Sequence, residues 1–161
     1  MGNEITIEQV SYKNAEQARI LKACLETWFQ NPKDLNLTAP QMTYPFNFNR
    51  WIADSYSKEN TLTYILKKDK WIIGYMSLQF QSKKDFIHMF HIFVDRSFRG
   101  KGFSKLLMQK AISYSKENSI PAITLFVNPN NQLAINLYES FGFTEVGFSK
   151  TGSIRMNLEL H

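Results

Sequence analysis

The chain has 161 residues and a formal net charge of +5, with 43% hydrophobic and 20% charged residues. This composition is that of an ordinary globular protein, and the length predicts a single domain over residues 1–161. Because Cys24 is the only cysteine, an intrachain disulfide and a cysteine-based metal cluster are excluded. The first residues lack the features of a signal peptide, and no apolar run is long enough to span a bilayer. We therefore expect a cytoplasmic protein without a membrane partner.

The positive net charge raises the alternative of a nucleic-acid-binding domain. The lysine-rich segments 67–70 and 83–85, however, lie between strand-like runs, where turns belong. The sequence has no basic helix face and no run of five basic residues. We therefore expect no nucleic-acid partner, and a mild positive field would suit an anionic cofactor.

The first half of the chain predicts a strand, two helices and then a meander of strands. Residues 5–10 alternate as a strand does, and Asn14 is placed to cap the helix that follows. The segment 31–47 holds three prolines and is predicted as a long loop, followed by a short helix over 50–56. The predicted strands of the meander are 61–66, 71–80 and 86–94. The last of these is almost wholly apolar, as a central strand is.

The second half of the chain alternates between strands and helices. Apolar residues recur at helical spacing from Phe103 to Tyr114, and Pro121 follows the predicted helix. A second helix is predicted after Asn131 as its N-cap, with Gly142 as its left-handed C-terminal residue. Strands are predicted at 122–127, 144–149 and 154–160. This order predicts an α/β domain.

The clearest functional signal is the turn between the strand that ends at Val94 and the long helix, because it contains Gly100 and Gly102. Glycine lets the backbone approach a ligand closely. The first amides of a helix lack internal acceptors and lie at the positive end of its dipole. These features favour phosphate or pyrophosphate binding. The spacing is neither that of a P-loop nor that of the dinucleotide fingerprint, which would need a glycine at Lys105. A glycine-rich turn without a ligand is the alternative.

Two segments of the sequence resemble motifs of the GNAT N-acetyltransferase family. Arg99-Gly100-Lys101-Gly102-Phe103-Ser104 resembles Arg/Gln-x-x-Gly-x-Gly/Ala, although a serine ends it here. Residues 131–143 resemble Asn-x-x-Ala-x-x-Leu-Tyr-x-x-x-Gly-Phe. The resemblance is sharpest from Phe86 to Phe143, and the order of elements also fits. It implies a single-domain GNAT (acyl-CoA N-acyltransferase) fold, with a mixed, mainly antiparallel central sheet flanked by helices and splayed between strands 4 and 5.

The resemblance also implies an acetyl-CoA-dependent N-acetyltransferase without a metal. Such an enzyme moves the acetyl group to a primary amine of a small molecule or protein by direct attack in a ternary complex. An amide near Ile92 would polarise the thioester carbonyl, and Tyr138 would protonate the leaving thiolate as general acid. The amides of residues 100–105 would hold the pyrophosphate, and Asn131 would bond the pantetheine arm. The implied cofactor-binding residues are Ile92, Phe93, Val94, Arg99, Gly100, Lys101, Gly102, Phe103, Ser104, Lys105 and Asn131.

Three candidates remain for the general base. Some family members carry a glutamate eleven residues before the first motif, and His88 stands at that position. A histidine with a near-neutral pKa could serve. His91 is the second candidate, although strand alternation predicts that it points to the opposite face, and an ordered water is the third. Phe126 stands where members that acetylate protein N-termini often carry a glutamate, which argues against that machinery.

The acceptor site is expected in the first half of the chain, although no carboxylate cluster marks a polyamine or aminoglycoside pocket. The aromatic residues there would line this site or pack under the long loop. They are Trp28, Tyr44, Phe46, Phe48 and Trp51. A non-catalytic acyl-CoA-binding or sensor module of the same fold is the alternative to an enzyme. Homodimerisation also stays open.

Overall fold

The computed structural model describes residues 4–80 and 85–160, so Lys83 and Lys84 of the second predicted lysine-rich turn lie outside the described residues. The elements are β1 (Ile5–Val10), α1 (Ala15–Trp28), α2 (Pro32–Thr38), α3 (Phe48–Ser55), β2 (Thr61–Lys68), β3 (Trp71–Phe80), β4 (Ile87–Val94), α4 (Phe103–Glu117), β5 (Ala122–Val127), α5 (Gln132–Ser140), β6 (Thr144–Phe148) and β7 (Ile154–Glu159). A 3₁₀ turn, Arg96–Phe98, precedes α4. The predicted strands 5–10, 71–80 and 122–127 have the bounds that the sequence predicted.

The strands form one sheet in the order β1-β2-β3-β4-β5-β7-β6. All neighbouring strands are antiparallel except β4 and β5, which are parallel. Their pairing is confined to Ile87–Met89 against Ile123–Leu125. Beyond Met89 the edge of β4 that faces β5 has no strand partner among the described residues. The predicted fold class, including the splay between strands 4 and 5, is confirmed.

The sheet separates two apolar cores. One core packs α4 and α5 on one face, with Met89 and Val94 of β4 among its buried residues. The other packs α1, α2 and α3 on the opposite face and includes Phe93. Strand β4 therefore contributes buried side chains to both faces, as its apolar sequence predicts.

The predicted loop 31–47 contains a helix, which corrects the sequence prediction. Asn31 caps α2 by accepting from the amides of Lys33 and Asp34, and Pro32 occupies the first turn. A proline at this position does not interrupt a helix, because its missing N–H would have had no partner there. Seven residues are too few to produce a recognisable helical period. Helix α3 begins at Phe48, two positions earlier than predicted, with Asn47 as its cap.

Strand β4 carries a bulge at its centre. Phe90 lies opposite Ser77 and Phe93 lies opposite Tyr75, so two residues of β4 face one residue of β3. His91, at the bulge, has a φ of 54°. Such an extra residue interrupts the alternation of side chains along a strand. The bulge thereby sets which side chains of β4 reach the site described below.

Candidate active site

The turn before α4 presents a row of unpaired backbone amides. Gly100 and Gly102 have φ values of 77° and 83°, a region that strains residues with a side chain. A Cβ at either glycine would meet no heavy atom within 4 Å, so backbone conformation and not space requires glycine. The amides of residues 100–104 donate to no acceptor within the described parts of the chain. These five N–H groups lie at the positive end of α4, where an anionic ligand is favoured.

The amide of Lys105, which was expected in this row, is already paired. It donates to the carbonyl of Gly102 at 3.2 Å, because the first turn of α4 closes as a tight 3₁₀-type turn. The row of amides thus ends at Ser104. The serine that departs from the family motif keeps its amide available.

The Arg99 side chain points back into the protein. Its Nε donates to the carbonyl of Val94 at 2.9 Å, and its Nη2 donates to Oδ1 of Asp34 at 3.2 Å. The guanidinium also lies over the ring of Phe93, 5.0 Å from the centroid. Arg99 therefore braces the turn against the end of β4.

Two carboxylates that the sequence analysis did not single out fix the same turn. Asp34 also accepts from Nη2 of Arg96 at 3.1 Å. Asp95 accepts from Nε1 of Trp28 at 3.0 Å and from the amide of Ser97 at 2.9 Å. Asp34 had no recognisable signal, because its helix was predicted as a loop. Asp95 stands directly after a predicted strand, where a capping role could have been proposed.

The open edge of β4 and the first residues of α5 both carry polar groups that have no partner among the described residues. Ile92–Val94 belong to the part of β4 that has no partner on the β5 side. Asn131 caps α5 as predicted, since its Oδ1 accepts from the amide of Ala134 at 3.3 Å. Its Nδ2 donates to none of the described residues. The Nδ2 group can therefore still donate to a ligand.

A cavity of about 600 Å³ opens on the face of the sheet that packs the first three helices. Apart from His88 and His91, the only ionisable side chains among the described residues of its lining are Arg50 and Asp54, and the Arg50 Nε lies 3.6 Å from the Asp54 Oδ2. Most other polar lining residues carry hydroxyl or amide groups: Thr38, Gln41, Ser55, Gln79, Asn128, Ser149, Thr151 and Ser153. The cavity suits a polar ligand with little net charge.

Of the five aromatic residues proposed for the acceptor wall, only Trp51 lines this cavity. Phe46 packs on Phe29 and Trp51, while Phe48 packs on Tyr12 and Trp28 packs on Phe93. Tyr44 is half-exposed and donates to the carbonyl of Gln30 at 3.1 Å. Packing against other aromatic rings therefore explains Trp28, Phe46 and Phe48 better than contact with a substrate does.

His88 lines the cavity from β4. Its Nδ1 lies 2.8 Å from Oγ1 of Thr124, and its ring meets Phe126 edge-on at 5.2 Å. Burial, with a smaller contribution from the charge of Arg155, lowers the pKa of His88 to about 4. The near-neutral pKa expected for His88 from the sequence was wrong, because burial removes the water that would solvate the charged imidazole. The imidazole is neutral at pH 7, but it is a weak base.

His91 lines the same cavity as His88, so the prediction of opposite faces was wrong. The bulge turns its side chain toward α3, where the imidazole stacks on Trp51 with centroids 3.9 Å apart. Its Nδ1 is hydrogen-bonded to the hydroxyl of Tyr56 at 2.8 Å. Burial, and secondarily the proximity of His88, lowers the pKa of His91 to about 3.

A series of hydrogen-bonded tyrosine hydroxyl groups supports the imidazole of His91. The Tyr75 hydroxyl donates to that of Tyr56 at 2.8 Å, and Tyr12 and Tyr75 are hydrogen-bonded at 2.7 Å. The series ends at Trp51, whose Nε1 donates to Tyr12 at 3.1 Å. Burial raises the pKa values of all three tyrosines, so they stay protonated. The sequence analysis missed them, since they come from three separate segments without a common pattern.

Tyr138 lies on α5, away from the lining of this cavity. Its side chain is 7% exposed and packs beside Phe143, with ring centroids 5.9 Å apart. The hydroxyl bonds to none of the described residues. Burial raises the pKa of Tyr138 well above its ordinary value, so the phenol keeps its proton at any working pH.

Within residues 4–80 and 85–160, no helix has the length and apolar character needed to cross a membrane. The same residues contain no group of three or more His, Cys, Asp or Glu side chains that could hold a metal ion.

Comparisons with known proteins identify the fold and the family. A spermidine N-acetyltransferase from Vibrio cholerae, solved with CoA and spermine, superposes with a TM-score of 0.74 at 18% identity, covering 96% of this chain and 95% of that one. That likeness concerns the fold. An uncharacterised N-acetyltransferase of Methanocaldococcus jannaschii is 38% identical over 74 residues, which are 46% of this chain and 32% of that protein.

A second curated relative is the N-acetylaspartate synthetase of Danio rerio, 30% identical over 92 residues, or 55% of this chain and 33% of that protein. The chain thus spans about a third of the length of these two curated relatives. The family model described as "Acetyltransferase (GNAT) family" matches residues 22–143. The chain belongs to the GNAT acetyltransferase family.

Proposed function

We propose that this protein transfers the acetyl group of acetyl-CoA to a primary amine, by direct attack of the amine on the thioester in a ternary complex. The observation that carries the proposal is the row of five unpaired amides at residues 100–104, beside the open edge of β4. The two features complement two neighbouring parts of CoA. An anion site suits the pyrophosphate, and a free strand edge suits the amide groups of the pantetheine arm.

In this proposal the chain's own backbone does most of the cofactor binding. The amides of Gly100, Lys101, Gly102, Phe103 and Ser104 hold the pyrophosphate. The exposed amines of Lys101 and Lys105 add positive potential. Ile92, Phe93 and Val94 pair with the pantetheine arm, and the Nδ2 of Asn131 donates to it. Arg99 contributes through the shape of the turn, since its guanidinium already bonds Asp34 and Val94.

In the reaction a C–N bond and an S–H bond form, and a C–S bond and an N–H bond break. The amine nitrogen attacks the thioester carbon, and an amide near Ile92 donates to the oxygen on which negative charge develops. The C–S bond then breaks and the sulfur leaves as a thiolate. Tyr138 donates its proton to that sulfur as the charge builds there, and the phenolate then regains a proton from solvent. Burial keeps the phenol protonated at neutral pH, but it also makes Tyr138 a weaker acid than an ordinary phenol.

His88 is proposed to accept the proton of the amine. Its pKa of about 4 keeps it in the proton-accepting form at neutral pH but makes it a weak base. Attack on the carbonyl makes the nitrogen far more acidic, so a weak base suffices once the N–C bond has begun to form. His91 and an ordered water remain the other candidates for this role.

The acceptor we propose is a small molecule with a single amine on a polar body. The cavity offers one carboxylate, Asp54, which is already paired with Arg50. A polyamine would need several unpaired carboxylates to match its charges. The curated relative named for N-acetylaspartate, the acetylated amine of a small molecule, supports this choice.

The second candidate function is a CoA-binding module without catalysis. The low basicity of both histidines favours it. The free hydroxyl of Tyr138, which has no bonding role among the described residues, favours the enzyme.

Release of CoA thiol tests the proposal. The protein would be incubated with acetyl-CoA and a panel of amino acids, amino sugars and polyamines, and binding would be followed separately by thermal shift. We expect CoA to raise the Tm and at least one monoamine to accelerate thiol release. Absence of a CoA-induced shift would exclude both functions. Binding without amine-dependent release over the whole panel would favour the binding module.

A further inference from the structure

A buried carboxylate on α2 holds two arginines of the cofactor turn. Asp34 is 4% exposed, and each of its oxygens accepts from a different guanidinium. Oδ2 accepts from Arg96 at 3.1 Å and Oδ1 from Arg99 at 3.2 Å. A buried charge is tolerated only while its partners stay in place. Helix α2 and the two arginines therefore have to move together.

The two arginines flank the segment that leads into the row of amides. Arg96 begins the 3₁₀ turn, and Arg99 directly precedes Gly100. The Arg99 Nε also donates to the carbonyl of Val94, where β4 ends. Through Arg99, the position of Asp34 is linked to both ends of the turn.

The same helix forms part of the acceptor cavity. Leu37 and Thr38, in the last turn of α2, line the cavity together with the residues that follow, 39–42. Leu35, next to Asp34, is buried in the core. Because α2 has only two turns, a shift at Asp34 is transmitted to Leu37 and Thr38 without an intervening hinge.

We propose that Asp34 is a positioning residue that couples the cofactor turn to the wall of the acceptor cavity. Binding of a phosphate-bearing ligand at the turn orders residues 35–42, and by linkage an ordered wall strengthens binding at the turn. The inference rests on the proposed function, because it takes the CoA pyrophosphate as the ligand of the turn.

The test uses the nucleotide half of CoA as the probe. Adenosine 3′-phosphate 5′-diphosphate carries the pyrophosphate but lacks the pantetheine arm and the acetyl group, which are the parts of acetyl-CoA proposed to extend toward the acceptor. Hydrogen exchange of peptides covering residues 35–42 would be measured by mass spectrometry with and without this probe. In the wild type we expect exchange there to slow at least about threefold on binding.

The Asp34→Asn variant removes the charge and keeps the shape. We expect its Kd for the probe to rise about tenfold and the protection of residues 35–42 to disappear, while Asp34→Glu restores part of both. Glu16→Gln, which removes an exposed carboxylate paired with Arg19, is the matched control and should change neither. If Asp34→Asn does not fold, Arg96→Gln carries the test, since that arginine is the more exposed of the two partners.

The outcomes separate this inference from the function on which it rests. A wild type that binds neither CoA nor the probe contradicts the proposed function and the coupling together. A wild type that binds the probe without protecting residues 35–42 overturns the coupling alone. The coupling alone is also overturned if Asp34→Asn keeps the wild-type affinity for the probe and the wild-type protection of residues 35–42. The same criterion applies to Arg96→Gln where it replaces that variant.

Discussion

The imidazole of His91 stacks on the indole of Trp51, with ring centroids 3.9 Å apart and ring planes inclined by 17°. The contact depends on the bulge of β4, which turns His91 to the face that also carries His88. Two neutral imidazoles consequently face one cavity. Their burial has consequences for stability and for catalysis, and both can be measured.

We expect the protein to lose stability in mild acid. The pKa values of His88 and His91 are lowered from 6.5 to about 4 and about 3, so below pH 6.5 the unfolded chain binds more protons than the folded one. The stability that depends on the two neutral imidazoles is fully present above pH 6.5. It is lost as the pH falls toward their folded-state pKa values of about 4 and about 3. Between pH 7 and pH 5 each histidine should lower the free energy of unfolding by about 2 kcal/mol. Urea unfolding at the two pH values measures this loss.

The His88→Gln variant isolates one of the two contributions. Between pH 7 and pH 5 its free energy of unfolding should fall by about 2 kcal/mol less than that of the wild type. An equal acid-dependent loss in both proteins would show that His88 is not buried as a neutral imidazole. The same variant should lower kcat by about two orders of magnitude if His88 is the base, with the Kd for CoA unchanged.

The two glycines of the turn should tolerate alanine poorly. Gly100→Ala and Gly102→Ala place a side chain at positive φ, which costs about 1–2 kcal/mol of folding free energy and shifts the amides that we propose to bind CoA. Calorimetry should therefore show a weaker Kd for CoA. Gly152→Ala is the control, because Gly152 also has a positive φ, of 88°, and open space around it. The Gly152→Ala variant should lose a similar amount of folding free energy and keep the wild-type Kd for CoA. Equal affinities in all the variants would remove the turn from the CoA site.

Tyr138→Phe tests the proposed acid. The variant keeps the ring that packs beside Phe143 and removes a hydroxyl without a bonding partner among the described residues. Stability and CoA affinity should therefore change little, while kcat falls by about two orders of magnitude. Steady-state kinetics and calorimetry on the same preparation separate the two effects. Unchanged turnover would retire Tyr138 as the acid and leave it as a core residue.

Tyr56→Phe tests the series of hydrogen-bonded hydroxyl groups that supports His91. The substitution leaves Tyr75, Ser77 and His91 each without one partner in a buried site, so we expect a loss of about 1–3 kcal/mol. Tyr44→Phe removes a hydrogen bond from a half-exposed tyrosine and should cost less than about 0.5 kcal/mol. Chemical denaturation of both variants gives the comparison. Equal losses of unfolding free energy in the two variants would mean that the buried hydrogen bonds of Tyr56 stabilise the fold no more than the exposed one of Tyr44.

The sequence predicted those parts of the molecule that local patterns determine. Strands β1, β3 and β5 and helices α4 and α5 follow from periodicity and capping, and the turn at Gly100 follows from its glycines. Family resemblance supplied the splay of the sheet. The short helix α2 was missed, because proline at its first turn was interpreted as a breaker.

The remaining features depend on residues far apart in the chain. The face of His91 is set by a bulge against β3, and strand alternation alone predicts the wrong side. The pKa of His88 is set by burial, which a sequence does not display. Asp34 lies 62 positions from Arg96, so their pairing has no local signature. Tertiary packing therefore determines the cavity beside the two histidines and the bracing of the turn before α4, while local sequence determines the glycine turn itself.

The central claim is that CoA binds through the backbone amides of residues 100–104. A ¹H–¹⁵N correlation spectrum of the wild type, titrated with CoA, tests it most directly. We predict that the amide resonances of these five residues shift most and saturate together, with smaller shifts at Ile92–Val94. CoA binding that leaves the five amides unshifted, or no binding at all, would contradict the account.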